Sequence, residues 1–172
     1  MTDENGSGCE VAHGAAPAEG EMRTLVAVFA SPVAEHLLRY GADAGFRPVL
    51  LEPDDQRVAG SYAGVAVVPS APEWLDGTTD IVVTDHHREE LGVVLRDALA
   101  RPSRWVGVMG NPRHRAPHID ALSALGVPAA DIERVHRPVG LNIGSRTPAE
   151  IAIATLAGLI ADRNRRPGGF EF

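Results

Sequence analysis

The chain has 172 residues, 44% of them hydrophobic and 23% charged, with a formal net charge of −7. These proportions fit one globular domain with its own core, and no apolar run approaches the length of a membrane span. A single cysteine, Cys9, excludes an intrachain disulfide, and no basic segment leads into an apolar one at the amino terminus, so a reducing compartment, the cytoplasm, is the expectation.

Residues 1–22 hold five acids, four glycines and no arginine. A stretch this polar cannot bury enough surface to order itself and reads as a disordered acidic tail. Cys9 and His13 within it are able to bind a metal, but two ligands make no site. The remaining body is near neutral, and its cations are all Arg or His, because Lys is absent. Nucleic acid selects clustered basic surface and is not an expected partner.

The folded body is expected over residues 23–164. Residues 25–29 form an apolar run that reads as a first, buried parallel strand. Pro32 opens a helix with Val33, Leu37, Tyr40, Gly41 and Ala44 on one face, and Gly45 ends it. Residues 48–51 make a second strand that closes at Glu52. In dinucleotide-binding folds an acid there accepts hydrogen bonds from a ribose 2′-OH; the alternative is a solvated strand end. Residues 65–68 suit a third strand, followed by a turn through Pro69 and Pro72. Residues 81–84 suit a fourth, and it feeds a helix with Leu91, Val94, Leu95, Ala98 and Leu99 at amphipathic spacing. Residues 105–109 make a fifth strand ending at Gly110. The next helix should turn Ile119, Leu122 and Leu125 inward, and Pro117 within its span makes the first turn irregular or late. A helical turn near residues 130–134 precedes the last helix, whose core face would be Ile153, Leu156, Ala157 and Ile160. Residues 165–172 read as a fraying tail. Alternating strands and helices give an α/β fold, a Rossmann-like three-layer sandwich with a mainly parallel sheet.

The most specific local signal lies before the last helix. Thr147 is a good N-cap, Pro148 suits the first helical position, and Glu150 completes a Thr-x-x-Glu capping box. Upstream, Gly140 and Gly144 permit backbone angles that let amides converge beside the positive end of that helix, a receptacle for an anion or simply a tight, well-capped loop.

Ligands of such sheets bind beyond the carboxyl ends of the strands, at the switch point between the first and fourth. That rim gathers Ala30 and Ser31, then Asp85, His86 and His87, then Gly110, Asn111 and Arg113, and finally Gly140, Asn142, Gly144 and Ser145; these are the candidate cofactor-binding residues. Each has a plainer role available. Asp85 or Thr84 could cap the following helix. Arg113, His114 and Arg115 at a helix start could grip phosphate, or be ordinary exposed residues. His136 suits packing as well as ligation. No nucleophile–base pair, paired carboxylates or metal-ligand spacing emerges, so an enzyme is not the first reading.

The run His136-Arg137-Pro138-Val139-Gly140-Leu141-Asn142-Ile143-Gly144-Ser145, continued through Thr147, Pro148, Glu150, Ile151 and Ala152, resembles the closing signature of the xanthine dehydrogenase accessory proteins, the XdhC and CoxI family. Two further runs are similar to it, from Ile81 through Thr84, Asp85 and His87, and from Trp105 to Gly110. The likeness covers that family's C-terminal Rossmann-like domain. It implies a maturation factor for a molybdenum hydroxylase of xanthine or CO dehydrogenase type, binding molybdenum cofactor (molybdopterin) or a nucleotide. It also implies partners: subunits of the hydroxylase, or a protein supplying the family's additional N-terminal domain; a homo-oligomer stays open. Departures are visible. The family's first turn reads Phe-Gly-Ala-Gly-Pro-Val-Ala, and Phe29 and Ser31 stand at its glycines, which opposes NAD(P) and leaves an oxidoreductase as the alternative beside a ligand-free interaction module. Asp85 and His86 stand in swapped order, Asn111 replaces Ser, and Asn142 replaces Asp.

Overall fold

The computed structural model describes residues 22–169 other than 59–61, 63, 112 and 114. The expectations for residues 1–21, including Cys9 and His13, and for His114 fall outside the described residues.

Six strands form one all-parallel sheet: β1 (Thr24–Val28), β2 (Arg47–Leu51), β3 (Ala66–Val68), β4 (Thr79–Val83), β5 (Trp105–Val108) and β6 (Val135–His136), in the order β3-β2-β1-β4-β5-β6. The order reverses direction between β1 and β4, so their carboxyl ends open the crevice in which doubly wound sheets hold ligands. β6 has only two residues, below what sequence periodicity can reveal, and extends the expected five strands by one. Five α-helices are described: α1 (Pro32–Asp43), α2 (Leu91–Leu99), α3 (Pro117–Ala124), α4 (Ala129–Ile132) and α5 (Pro148–Arg163).

The central strands are buried on both faces, so successive residues feed two different cores. Val26, Val28, Ile81 and Val83 pack with Leu91, Leu95 and Leu122 under α2 and α3. Leu25, Ala27 and Val82 pack with Leu37, Leu38, Leu156 and Leu159 under α1 and α5. At the amino rim of the sheet, buried Asp80 meets Arg104 at 2.5 Å, and Arg104 reaches Asp162 near the end of α5 at 2.5 Å. This network staples layers together and lies at the edge opposite the crevice.

Three helix faces depart from the amphipathic expectation. In α5 the buried residues are Ala152, Ala154, Thr155, Leu156 and Leu159, while Ile153 is 51% exposed. The helix is apolar nearly all round, so period alone does not fix its face; close approach to the residue 139–141 segment selects the small side chains. In α3 the buried pair is His118 and Leu122, with Ile119 and Leu125 exposed. Pro117 is the first residue of that helix, the position proline tolerates, which is why the helix starts late. In α1, Ala44 is the exposed C-cap, and Ala34, Leu37, Leu38 and Gly41 face the core.

Candidate functional site

The turn after β1 carries no glycine yet keeps a glycine's backbone. Phe29 has φ 72 with its ring fully buried, a conformation that costs an L-residue roughly 1–2 kcal/mol. Ser31 caps α1 by accepting the Ala34 amide at 3.0 Å. Its hydroxyl donates to Thr84 Oγ1 at 2.9 Å, and the Thr84 hydroxyl lies 3.0 and 2.9 Å from the Val28 and Phe29 carbonyls. The turns after β1 and β4 are thereby sewn together, and Thr84 is spent on that seam rather than on capping α2.

The amides of this turn are also engaged. Ala30 donates to Glu52 Oε2 at 2.8 Å, and Ser31 donates to the Tyr62 hydroxyl at 2.9 Å. Glu52 is therefore neither a solvated strand end nor a waiting ribose acceptor. Its carboxylate is buried and turned inward, taking the Asp54 amide at 3.1 Å and two Arg88 nitrogens at 3.0 and 2.8 Å. Burial pushes this carboxyl up, but the hydrogen bonds from Arg88, Ala30 and Asp54 outweigh it and hold it below the ordinary carboxylate range. Arg88 and Tyr62 are invisible to local sequence patterns, because Arg88 lies 36 residues and Ser31 lies 31 residues from the partner concerned.

The other half of the crevice is open. Between the ends of β4 and β5 and the segment from Pro138 to Ser145 lies a cleft of about 720 Å³, within the size range of small-molecule sites. His86, Gly110, Asn111, Arg113, Gly140, Asn142, Gly144 and Ser145 line it; Val33, Met109, Val139, Leu141, Ile143 and Ile151 supply apolar wall. Ala30, Ser31, Asp85 and His87 stand outside this lining. Asp85 accepts the His87 amide at 2.9 Å, a local turn that leaves α2 without a side-chain cap. His87 is exposed, with its ring centre 4.1 Å from that of His86.

Among the described residues no aspartate or glutamate lines the cleft, although the chain carries 23 acids against 16 arginines. Burial lowers the His86 pKa, and the nearby His87 and Arg137 lower it further, against Asp85 and a main-chain hydrogen bond at Met109. Its imidazole is accordingly neutral at pH 7. Arg137, at a position the sequence motif leaves variable, donates to the Asn111 carbonyl at 2.9 Å and braces the turn that carries Arg113. Asn111 accepts the Arg113 amide at 2.9 Å in a turn of its own. It does not cap α3, which begins at Pro117 with Ala116 as N-cap, so Arg113 and Arg115 precede the helix rather than start it.

The capping box at Thr147 and Glu150 forms as expected. The same Glu150 carboxylate takes the amides of Arg146 at 2.7 Å and Thr147 at 3.1 Å, and Leu141 donates to the Ala154 carbonyl at 3.0 Å. The main-chain receptacle beside α5 is therefore narrower than the glycine spacing suggests. Gly140, at φ 88, lies so close to α5 that a Cβ there would come within 2.8 Å of the Ala154 and Thr155 main chain. His136 packs flat against Trp105, with ring centres 5.0 Å apart and planes 6° from parallel. Among the described residues no group of three or more His, Cys, Asp or Glu gathers to hold a metal, and no helix is long and apolar enough to cross a membrane.

Comparison with known proteins agrees with this architecture. Residues 25–159 match the profile of the XdhC Rossmann domain. The uncharacterized protein YqeB of Escherichia coli (strain K12) is 33% identical over 125 residues, 71% of this chain and 22% of that protein. The crystal structure of a xanthine dehydrogenase from Bacillus halodurans superposes with a TM-score of 0.67 at 21% identity, over 88% of this chain and 46% of that one. The chain thus spans less than half the length of either relative.

Proposed function

The chain belongs to the family of the XdhC Rossmann domain, and on that footing we propose that it is an accessory factor for a molybdenum hydroxylase that holds a phosphate-bearing cofactor in the cleft. The observation that carries this is the cleft's chemistry. It joins an arginine and several neutral hydrogen-bonding groups to an apolar wall, with no carboxylate among the described lining residues. A flat heterocycle bearing phosphate asks for that combination: apolar surface for the ring, and charge-assisted hydrogen bonds for the anion. The name xanthine dehydrogenase, borne by the Bacillus protein of like fold, agrees with such a client.

Molybdenum cofactor, a pterin with a phosphate, fits this donor set as well as a nucleotide does. Arg113 with Asn111 would hold the phosphate, Asn142 and Ser145 would meet polar ring edges, and Val33, Met109 and Ile151 would cover a ring face. The cofactor brings its own metal chemistry; the residues of this chain bind it, orient it and shield it. Neutral His86 would act as a hydrogen-bonding partner rather than a second cation. The client's other subunits, or a protein supplying a further domain, are the proposed partners.

Calorimetric titration with pyrophosphate, AMP and isolated molybdenum cofactor tests the proposal. Binding tighter than millimolar is expected for at least one, weakened at least ten-fold by Arg113→Glu and more strongly affected at low salt. Wild-type protein that binds none of them leaves the cleft without this role. A dinucleotide oxidoreductase is disfavoured by the engaged turn after β1.

A further inference from the structure

We infer that Glu52 is a specificity-determining residue: seated as an internal anion on the donors of the first turn, it closes the β1–β2 half of the crevice to dinucleotides. The inference goes beyond the proposed function, because it concerns the half of the rim away from the cleft and holds whether or not the cleft binds phosphate.

In a sheet of this order the turn after β1 meets the diphosphate of a dinucleotide, and an acid at the end of β2 meets the ribose. Here the acid has folded back onto the turn. Its two oxygens accept the Ala30 and Asp54 amides and two nitrogens of Arg88. A carboxylate has about four lone-pair sites, so nothing remains for a ribose hydroxyl. The Ala30 amide that a diphosphate would need is already engaged by the Glu52 carboxylate. The Tyr62 hydroxyl covers the next amide, that of Ser31. The turn itself still has a glycine-like backbone at Phe29; what fills it is the Glu52 carboxylate drawn onto the Ala30 amide. Arg88 does not depend on Glu52 alone for its place. It also contacts Glu90 at 3.1 Å, and its guanidinium carbon lies 4.5 Å from the Phe29 ring centre. Removing Glu52 therefore leaves a buried cation aimed at the turn with part of its hydrogen-bonding capacity released.

The test is calorimetric titration of NAD and ADP-ribose into wild type, Glu52→Ala, Glu52→Ala/Arg88→Ala and Glu52→Ala/Arg113→Glu. Wild type should bind neither better than millimolar. Glu52→Ala should bind at least ten-fold tighter, the gain should vanish when Arg88 is also removed, and it should persist when Arg113 is reversed. Persistence with Arg113→Glu separates this inference from the cleft proposal; loss of the gain there would put the ligand in the cleft and overturn it. Micromolar binding by wild type overturns it outright, as does Glu52→Ala with a native circular dichroism spectrum and no gain. Should Glu52→Ala fail to fold, Glu52→Gln keeps the side chain's size and removes its charge: tighter binding supports the inference, and unchanged binding overturns it.

Discussion

Arg88 grips both oxygens of Glu52, at 3.0 and 2.8 Å, while its guanidinium lies 4.5 Å from the centre of the Phe29 ring. One side chain from the loop after β4 thereby fixes the end of β2 and the turn after β1. The two side chains are 7% and 0% exposed, so this pair is not a surface decoration. Breaking a buried pair by removing one partner leaves an uncompensated charge and is strongly destabilising.

Replacing Glu52 by Gln should accordingly cost roughly 3 kcal/mol at pH 7, read from denaturant midpoints, with Glu90 tempering the loss at Arg88. The folded carboxyl titrates below its ordinary value of 4.5. Its contribution is complete above that value and drains away as pH falls through the lower, folded value. Wild type should therefore show an acid-side loss of stability that Glu52→Gln lacks. Parallel acid profiles would show that Glu52 is not held in its charged form by the fold.

Gly140 and Gly144 both have positive φ, 88 and 70, but their surroundings differ. A Cβ at Gly140 would strike main-chain atoms of α5 within 2.8 Å, whereas nothing lies within 4 Å of one at Gly144. Gly144→Ala should then cost about 1 kcal/mol, the left-handed penalty alone. Gly140→Ala should cost more than about 2 kcal/mol, because backbone cannot yield as a side chain can. Equal midpoints for the two variants would mean that the residue 139–141 segment does not rest on α5.

Thr147 accepts the Glu150 amide at 3.3 Å as the N-cap of α5. Thr147→Ala should cost about 1 kcal/mol. Because the cap is exposed and its loss leaves the cleft lining in place, ligand affinity should change less than stability. A denaturation midpoint identical to wild type would place the start of α5 elsewhere.

Much of this fold is written locally. The run from Leu25 to Phe29, the spacing of Leu91, Val94, Leu95, Ala98 and Leu99, and the Thr147–Glu150 box each state their element within a few residues. The cleft is legible to the extent that strand ends and loops converge by topology; hence His86, Gly110, Arg113 and Gly144 meet there. The inward turn of Glu52 is not legible, since it depends on Arg88, 36 residues away. Nor is the buried face of α5, whose Ile153 and Leu156 have the same apolar character but opposite fates. The glycines missing from the first turn are legible in the sequence, but the carboxylate that occupies its Ala30 amide is not.

Burial, with His87 and Arg137 nearby, lowers the His86 pKa, so its imidazole enters the cleft neutral at pH 7. A bound phosphate would favour the imidazolium, and by linkage affinity for an anion should rise as pH falls through the histidine's depressed range. Phosphate esters titrate near pH 6 themselves, so the informative quantity is the difference between wild type and His86→Gln. That difference should be small at pH 8 and grow in favour of wild type as pH falls below the ordinary histidine value of 6.5. A constant ratio across this range would remove His86 from the ligand's surroundings.

Amide chemical-shift mapping during titration with pyrophosphate, AMP and isolated molybdenum cofactor tests the central claim most directly, because it reports where a ligand sits as well as whether it binds. Saturable shifts are predicted at Thr84, His86, Met109, Gly110, Asn111, Arg113 and residues 140–145, the three edges of the cleft, with the amides of Ala30, Ser31 and Asp54 unmoved because Glu52 and Tyr62 hold that turn. Shifts centred on Ala30, Ser31 and Asp54, or none with any of the three compounds, would contradict it.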